Sequence, residues 1–71
     1  MENINIRFGK HLKDLRRKKK ITQEELAELA ELEYKYIQRL EGKKPSSPTL
    51  NSLEKLARAF NISISKLLNF K

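Results

Sequence analysis

Ile4, Phe8, Leu12 and Leu15 recur at spacings of four, four and three, which lays one apolar stripe along a helix predicted over residues 4–19. The remaining positions are largely cationic. Arg16, Arg17, Lys18, Lys19 and Lys20 crowd the end of that helix, where positive charge complements the dipole. That run reads equally as a solvated helix end or as a set of phosphate contacts. Thr22 followed three residues later by Glu25 is a capping box, so a short helix over 23–30 is expected, with Leu26, Ala27, Leu29 and Ala30 following the cap. Ile37 and Leu40 form the inward pair of a third helix over 33–41, closed by Gly42. Residues 43–48 form a loop. Ser47 as N-cap and Pro48 at the first helical position begin a fourth helix over 48–60, striped by Leu50, Leu53, Leu56, Ala57 and Phe60. Asn61 tolerates positive φ and ends it. Ser63 caps a last helix over 63–69 carrying Ile64, Leu67 and Leu68. The pattern is all-α, with five short helices, no strand and one domain spanning residues 1–71.

Composition narrows the chemistry. The 71 residues hold 16 Lys and Arg against 9 Asp and Glu, a formal net charge of +7, and contain no Cys and no Trp. Without Cys there is no disulfide framework, no thiol nucleophile and no Cys-ligated metal, which fits a reducing, cytoplasmic setting. His11 is the single histidine, too few for a His-based metal centre or a Ser/His/Asp relay, and it reads as a surface or boundary residue. No apolar run is long enough to span a bilayer or form a signal-peptide core. No catalytic set, cofactor, metal or small-molecule ligand is indicated. Excess positive charge with few aromatics favours a polyanionic partner. Chains below ~70–80 residues bury only a marginal core, so dimerisation is a natural supplement.

Residues 22–42 carry the most information. Two short helices separated by about three residues cannot run antiparallel side by side, and such a turn holds them at the steep angle of a helix-turn-helix. Ala27 must be small where the second helix crosses. Leu26, Ala30, Leu32, Ile37 and Leu40 seal the corner from inside.

The run TQEELAELAELEYKYIQRLEGKK resembles the helix-turn-helix of the phage-repressor family, the Cro/C1 or XRE-like type. FGKHLKDLRRKKKIT looks like that family's first helix and PTLNSLEKLARAFNISISKLL like its fourth and fifth, so the resemblance covers residues 6–68. It implies a five-helix, lambda-repressor-like DNA-binding domain. Three features depart from the pattern. Glu31 stands at the turn position usually held by Gly, at a cost of about 1–2 kcal/mol if its φ is positive. Glu33 opens the third helix where Ser, Thr or Asp is usual, and it either stands as a helix-terminal charge or accepts from a cytosine amine. The loop after Glu41 is about one residue longer.

The resemblance further implies that the third helix lies in the major groove of double-stranded DNA, reading base edges with Tyr34, Lys35, Gln38 and Arg39. Lys35 and Arg39 suit guanine, Gln38 suits adenine, and Tyr34 suits a thymine methyl or a phosphate. Gln23 matches the family's phosphate ligand at the start of the second helix. Thr22, Tyr36, Lys43, Lys44, Ser46 and Ser47 complete the expected backbone contacts, with Thr22 acting chiefly as a cap and Tyr36 partly as core. Arg16 and Glu41 match a buried or half-buried structural ion pair. Glu24, Glu25, Glu28 and Glu31 should look away from DNA, as a solubilising surface or as an activator's patch for polymerase.

The reading that follows is a sequence-specific transcriptional regulator acting as a homodimer on a pseudo-palindromic operator. Ile64, Leu68 and Phe70 are expected at the dimer interface, although each reads equally well as core. A small regulator of this kind resembles restriction–modification controller proteins and small Cro-type repressors, with regulation through its own concentration. The alternative is an antitoxin or protein-interaction module of a toxin–antitoxin pair. An enzyme is the weakest option.

Overall fold

Among the described residues, four of five helices start on a side chain that accepts a hydrogen bond from one of the helix's first free amides, the groups no helix can satisfy internally. The computed structural model describes residues 2–70. Asn3 caps α1 (Ile4–Lys18), and Thr22 caps α2 (Gln23–Ala30) by accepting from Glu25 N at 3.0 Å. The Glu25 carboxylate accepts in return from Thr22 N at 2.9 Å, completing the capping box. Ser63 caps α5 (Ile64–Leu67). Glu33 precedes α3 (Tyr34–Leu40) and makes no side-chain capping bond.

The start of α4 (Leu50–Phe60) corrects the sequence reading, because Thr49 and not Ser47 is its cap. The Thr49 hydroxyl accepts from Ser52 N at 3.1 Å and donates to Ser52 Oγ at 3.0 Å. Ser47 is engaged elsewhere, its hydroxyl accepting from Asn5 Nδ2 of α1 at 2.9 Å. Pro48 therefore lies ahead of the helix.

Three helices end in the same way. Lys20, Glu31 and Asn61 take left-handed conformations at φ 61°, 56° and 58°. In each case the left-handed residue's amide bonds back three residues and the next amide five, as in Ile21 N to Arg16 O (3.2 Å), Leu32 N to Ala27 O (2.9 Å) and Ile62 N to Ala57 O (3.0 Å). These are Schellman turns. Ile21, Leu32 and Ile62 then fold onto the core, and Thr22, Glu33 and Ser63 open the following helices. Three-residue connections of this kind leave α2 and α3 no room to run side by side. The positive φ expected at Asn61 and considered for Glu31 is present at both. Gly42 is not left-handed, so α3 closes on right-handed Glu41 instead.

Phe8 and Leu12 of α1, Leu26, Ala27 and Ala30 of α2, Ile37 and Leu40 of α3, Leu53, Leu56 and Ala57 of α4 and Leu67 of α5 share one core. α2 packs on both α3 and α4, and α1 packs on α3. Ile4, Leu29 and Leu50 fall outside it, Leu29 being 52% exposed on α2. Ile4 is 61% exposed and Leu50 81% exposed, each being the first residue of its helix. Phe70 packs on its own chain, its ring 5.9 Å from that of Phe8 and stacked on His11 at 5.2 Å. Among the described residues no helix is long and apolar enough to cross a membrane.

Candidate nucleic-acid interface

α3 divides cleanly between two environments. Ile37 and Leu40 are buried, whereas Tyr34, Lys35, Gln38 and Arg39 are all exposed on the other side. The four residues expected to face base edges are therefore brought together on one surface. An open hollow of about 420 Å³ flanks this surface, lined by Leu32, Glu33, Lys35, Tyr36, Arg39 and Ser52. Glu33, which makes no side-chain cap bond, lines that hollow together with Lys35 and Arg39.

The residues expected at the DNA backbone divide into two groups. Lys43, Lys44 and Ser47 are exposed on the loop after α3, and Ser46 is half-buried there. The bond from Asn5 to Ser47 ties this loop to the start of α1. Thr22 is exposed and Gln23 half-buried at the start of α2. Tyr36 differs, since its hydroxyl is shielded from solvent and has no hydrogen-bond partner. Its ring packs, partly buried, against the core.

Arg16 and Glu41 form the expected ion pair, with side chains 12% and 2% exposed. Arg16 Nε donates to Glu41 Oε2 and Nη2 to Oε1, both at 2.9 Å, while Nη1 donates to the Ile21 carbonyl at 3.0 Å. Hydrogen bonding to Glu41 raises the Arg16 pKa above its ordinary value, burial opposes that effect, and the carboxylate charge adds to it. Gln23 joins the same node, its Nε2 donating to Glu41 Oε1 at 3.0 Å. Eighteen residues separate that pair, so no local pattern announces it.

Two further features lie outside the expected contact surface. Lys10 and Lys13 of α1 share a hollow of about 480 Å³ with Lys43, which extends the cationic surface onto α1. Their spacing of three along a helix was the available signal. The acidic side of α2 is also not wholly turned away, because Glu24 and Glu28 border a hollow with Tyr34. Ile64 of α5 and Leu68, its C-cap, are exposed, four residues apart. Phe70, expected beside them at a dimer interface, is half-buried against α1.

The sequence matches the Cro/C1-type HTH DNA-binding domain over residues 11–71. No curated protein sequence matches it. Among solved structures, the restriction-modification controller protein C.AhdI from Aeromonas hydrophila is similar at 33% identity, with 89% of this chain and 94% of that one covered and a TM-score of 0.82. C.Esp1396I bound to a 19 base pair DNA duplex is similar at 26% identity, with 94% and 92% covered and a TM-score of 0.81. The wild-type controller protein C.Esp1396I is similar at 25% identity, with 96% and 90% covered and a TM-score of 0.80.

Proposed function

The chain belongs to the Cro/C1-type helix-turn-helix DNA-binding family, and from that premise we propose that it is a homodimeric transcriptional regulator of the restriction–modification controller kind. The observation that carries this reading is the exposed face of α3, where Tyr34, Lys35, Gln38 and Arg39 stand free while Ile37 and Leu40 lock the opposite face to the core. Lys35 and Arg39 donate to guanine O6 and N7, Gln38 pairs with adenine, and Tyr34 packs on a thymine methyl. Lys43, Lys44, Ser46 and Ser47, with Thr22 and Gln23 at the start of α2, grip phosphates and set the register. Tyr36 serves packing. The regulator works in the cytoplasm as a binding protein, without a chemical step of its own.

The spacing of successive major grooves favours a dimer. Two reading helices must stand about 34–36 Å apart to enter successive major grooves on one face of the duplex. The longest dimension of this molecule is 31 Å and it carries one such helix. Two copies would supply the two helices, with Ile64 of α5 and its C-cap Leu68 as the apolar contact. A 19 base pair duplex, the length in the C.Esp1396I complex, accommodates two such half-sites.

Selection of bound sequences from random duplexes tests the proposal. A two-fold symmetric consensus with half-site centres about one helical turn apart is the expected outcome. Absence of any enriched sequence would overturn it.

A further inference from the structure

We propose that Glu41 is a positioning residue for DNA binding, which fixes the Gln23 side chain so that one amide N–H is held ready for a backbone phosphate. The inference rests on the reading above, in which Gln23 meets the DNA backbone.

The geometry of the node carries it. Glu41 is almost wholly removed from solvent and its carboxylate accepts three hydrogen bonds, two from Arg16 and one from Gln23. A carboxylate only accepts, so the Gln23 amide must turn its nitrogen and not its oxygen toward Glu41. That bond uses one of the two N–H groups. The second is the single donor the side chain has left for a ligand, and its direction is set once the first is fixed.

A glutamine in solution has three rotatable bonds and loses their freedom when it binds. Gln23 has already lost much of it in the free protein. Arg16 in turn holds the carboxylate by a two-pronged contact and is anchored to the Ile21 carbonyl, one residue before the cap of α2. The node thereby joins the end of α1, the start of α2 and the end of α3. A contact made at the α2 start is held at a fixed offset from the reading face of α3.

The test uses duplexes of the selected consensus in which single phosphates are replaced in turn by uncharged methylphosphonates. One replacement per half-site should weaken wild-type binding about tenfold, the effect of losing one hydrogen bond to a charged group. Gln23→Ala should be insensitive to that same replacement. The double variant Arg16→Met/Glu41→Leu removes the acceptor without leaving a buried charge, and it too should be insensitive. If this variant folds and keeps the wild-type sensitivity, Glu41 is only structural and the proposal falls. It falls also if no replacement distinguishes wild type from Gln23→Ala. Loss of all duplex binding by the wild type would instead sink the underlying function.

Side-chain amide NMR of the unmodified protein gives an answer that does not depend on any variant folding. One Gln23 amide proton should be shifted and slow to exchange in the free protein, and unchanged by the duplex. The other should move when the duplex is added. Two protons behaving as a freely solvated amide would overturn the proposal.

Discussion

Gly9 of α1 lies directly against the Leu40 carbonyl of α3, so close that a Cβ at position 9 would overlap the carbonyl oxygen and stand 3.3 Å from its carbon. The obstacle is backbone, which cannot swing aside as a side chain would. α1 therefore crosses the end of the reading helix at the one position where it carries no side chain. Gly9→Ala gains about 1 kcal/mol of helix propensity but forces the two backbones apart. Overpacking wins, and we expect a net loss of about 2 kcal/mol or more. In a domain this small that lowers the melting midpoint by roughly 10 °C, measurable by circular dichroism.

The three Schellman turns make a prediction of opposite sign. A left-handed backbone costs an ordinary residue about 1–2 kcal/mol, and Asn less because its short polar side chain tolerates the region. Lys20→Gly and Glu31→Gly should each stabilise by about 1 kcal/mol, since neither residue makes a side-chain hydrogen bond or ion pair among the described residues. Asn61→Gly should be nearly neutral. Thermal melts of the three variants check the order, and an equal response at all three positions would contradict it.

Local patterns and distant ones were not equally legible. The capping box of Thr22 and Glu25 spans three residues and is complete within the helix it starts, so the letters alone place it. Ser47 and Thr49 both suit a cap. The helix starts from Thr49, while the Ser47 hydroxyl accepts from Asn5, forty-two residues away, a pairing that no local pattern announces. Ile4 and Leu50 fit their helical stripes by spacing and lie exposed, because periodicity reports which face a residue is on and not whether that face is covered at its position. Lys20 carries no sign of its left-handed backbone. Phe70 was legible as apolar, but the stacking of its ring on His11 depends on how the last turn folds back to α1. The outward face of α3 was legible because two buried residues at a spacing of three define the other side.

Breaking the Arg16–Glu41 pair from either side should be costly. Removing one partner of a buried pair leaves an uncompensated charge, at about 3–5 kcal/mol. Arg16→Ala also strips the Ile21 carbonyl of its donor. Arg16→Met/Glu41→Leu should cost much less than either single truncation, and urea titrations of the three variants make the comparison. The pH dependence has a definite sign. The folded state raises the Arg16 pKa, so the stability this group contributes is complete below its unfolded value and is lost only as pH rises through the higher folded value. Between about pH 6 and pH 10 Arg16 should contribute no slope of its own. A contribution traced to Arg16 that fades inside that window would contradict the assignment.

Lys35 and Arg39 on one side, and Lys43 and Lys44 on the other, should fail differently when truncated. The first two stand on the exposed face of α3, and the others follow it on the loop tied by Asn5 and Ser47. A base contact contributes to one sequence and not to others, whereas a phosphate contact contributes to all. Lys35→Ala/Arg39→Ala should reduce binding to the selected consensus by about 1–3 kcal/mol per lost base contact and leave random duplex much less affected. Lys43→Ala/Lys44→Ala should weaken both duplexes alike, and should flatten the dependence of log K on log salt by about one unit for each phosphate released. Isotherms for the two double variants, on consensus and scrambled duplexes across a salt series, separate the roles. If the loop variant lost discrimination and the α3 variant lost only salt dependence, the reading surface would lie on the loop, and the major-groove assignment of α3 would have to be abandoned.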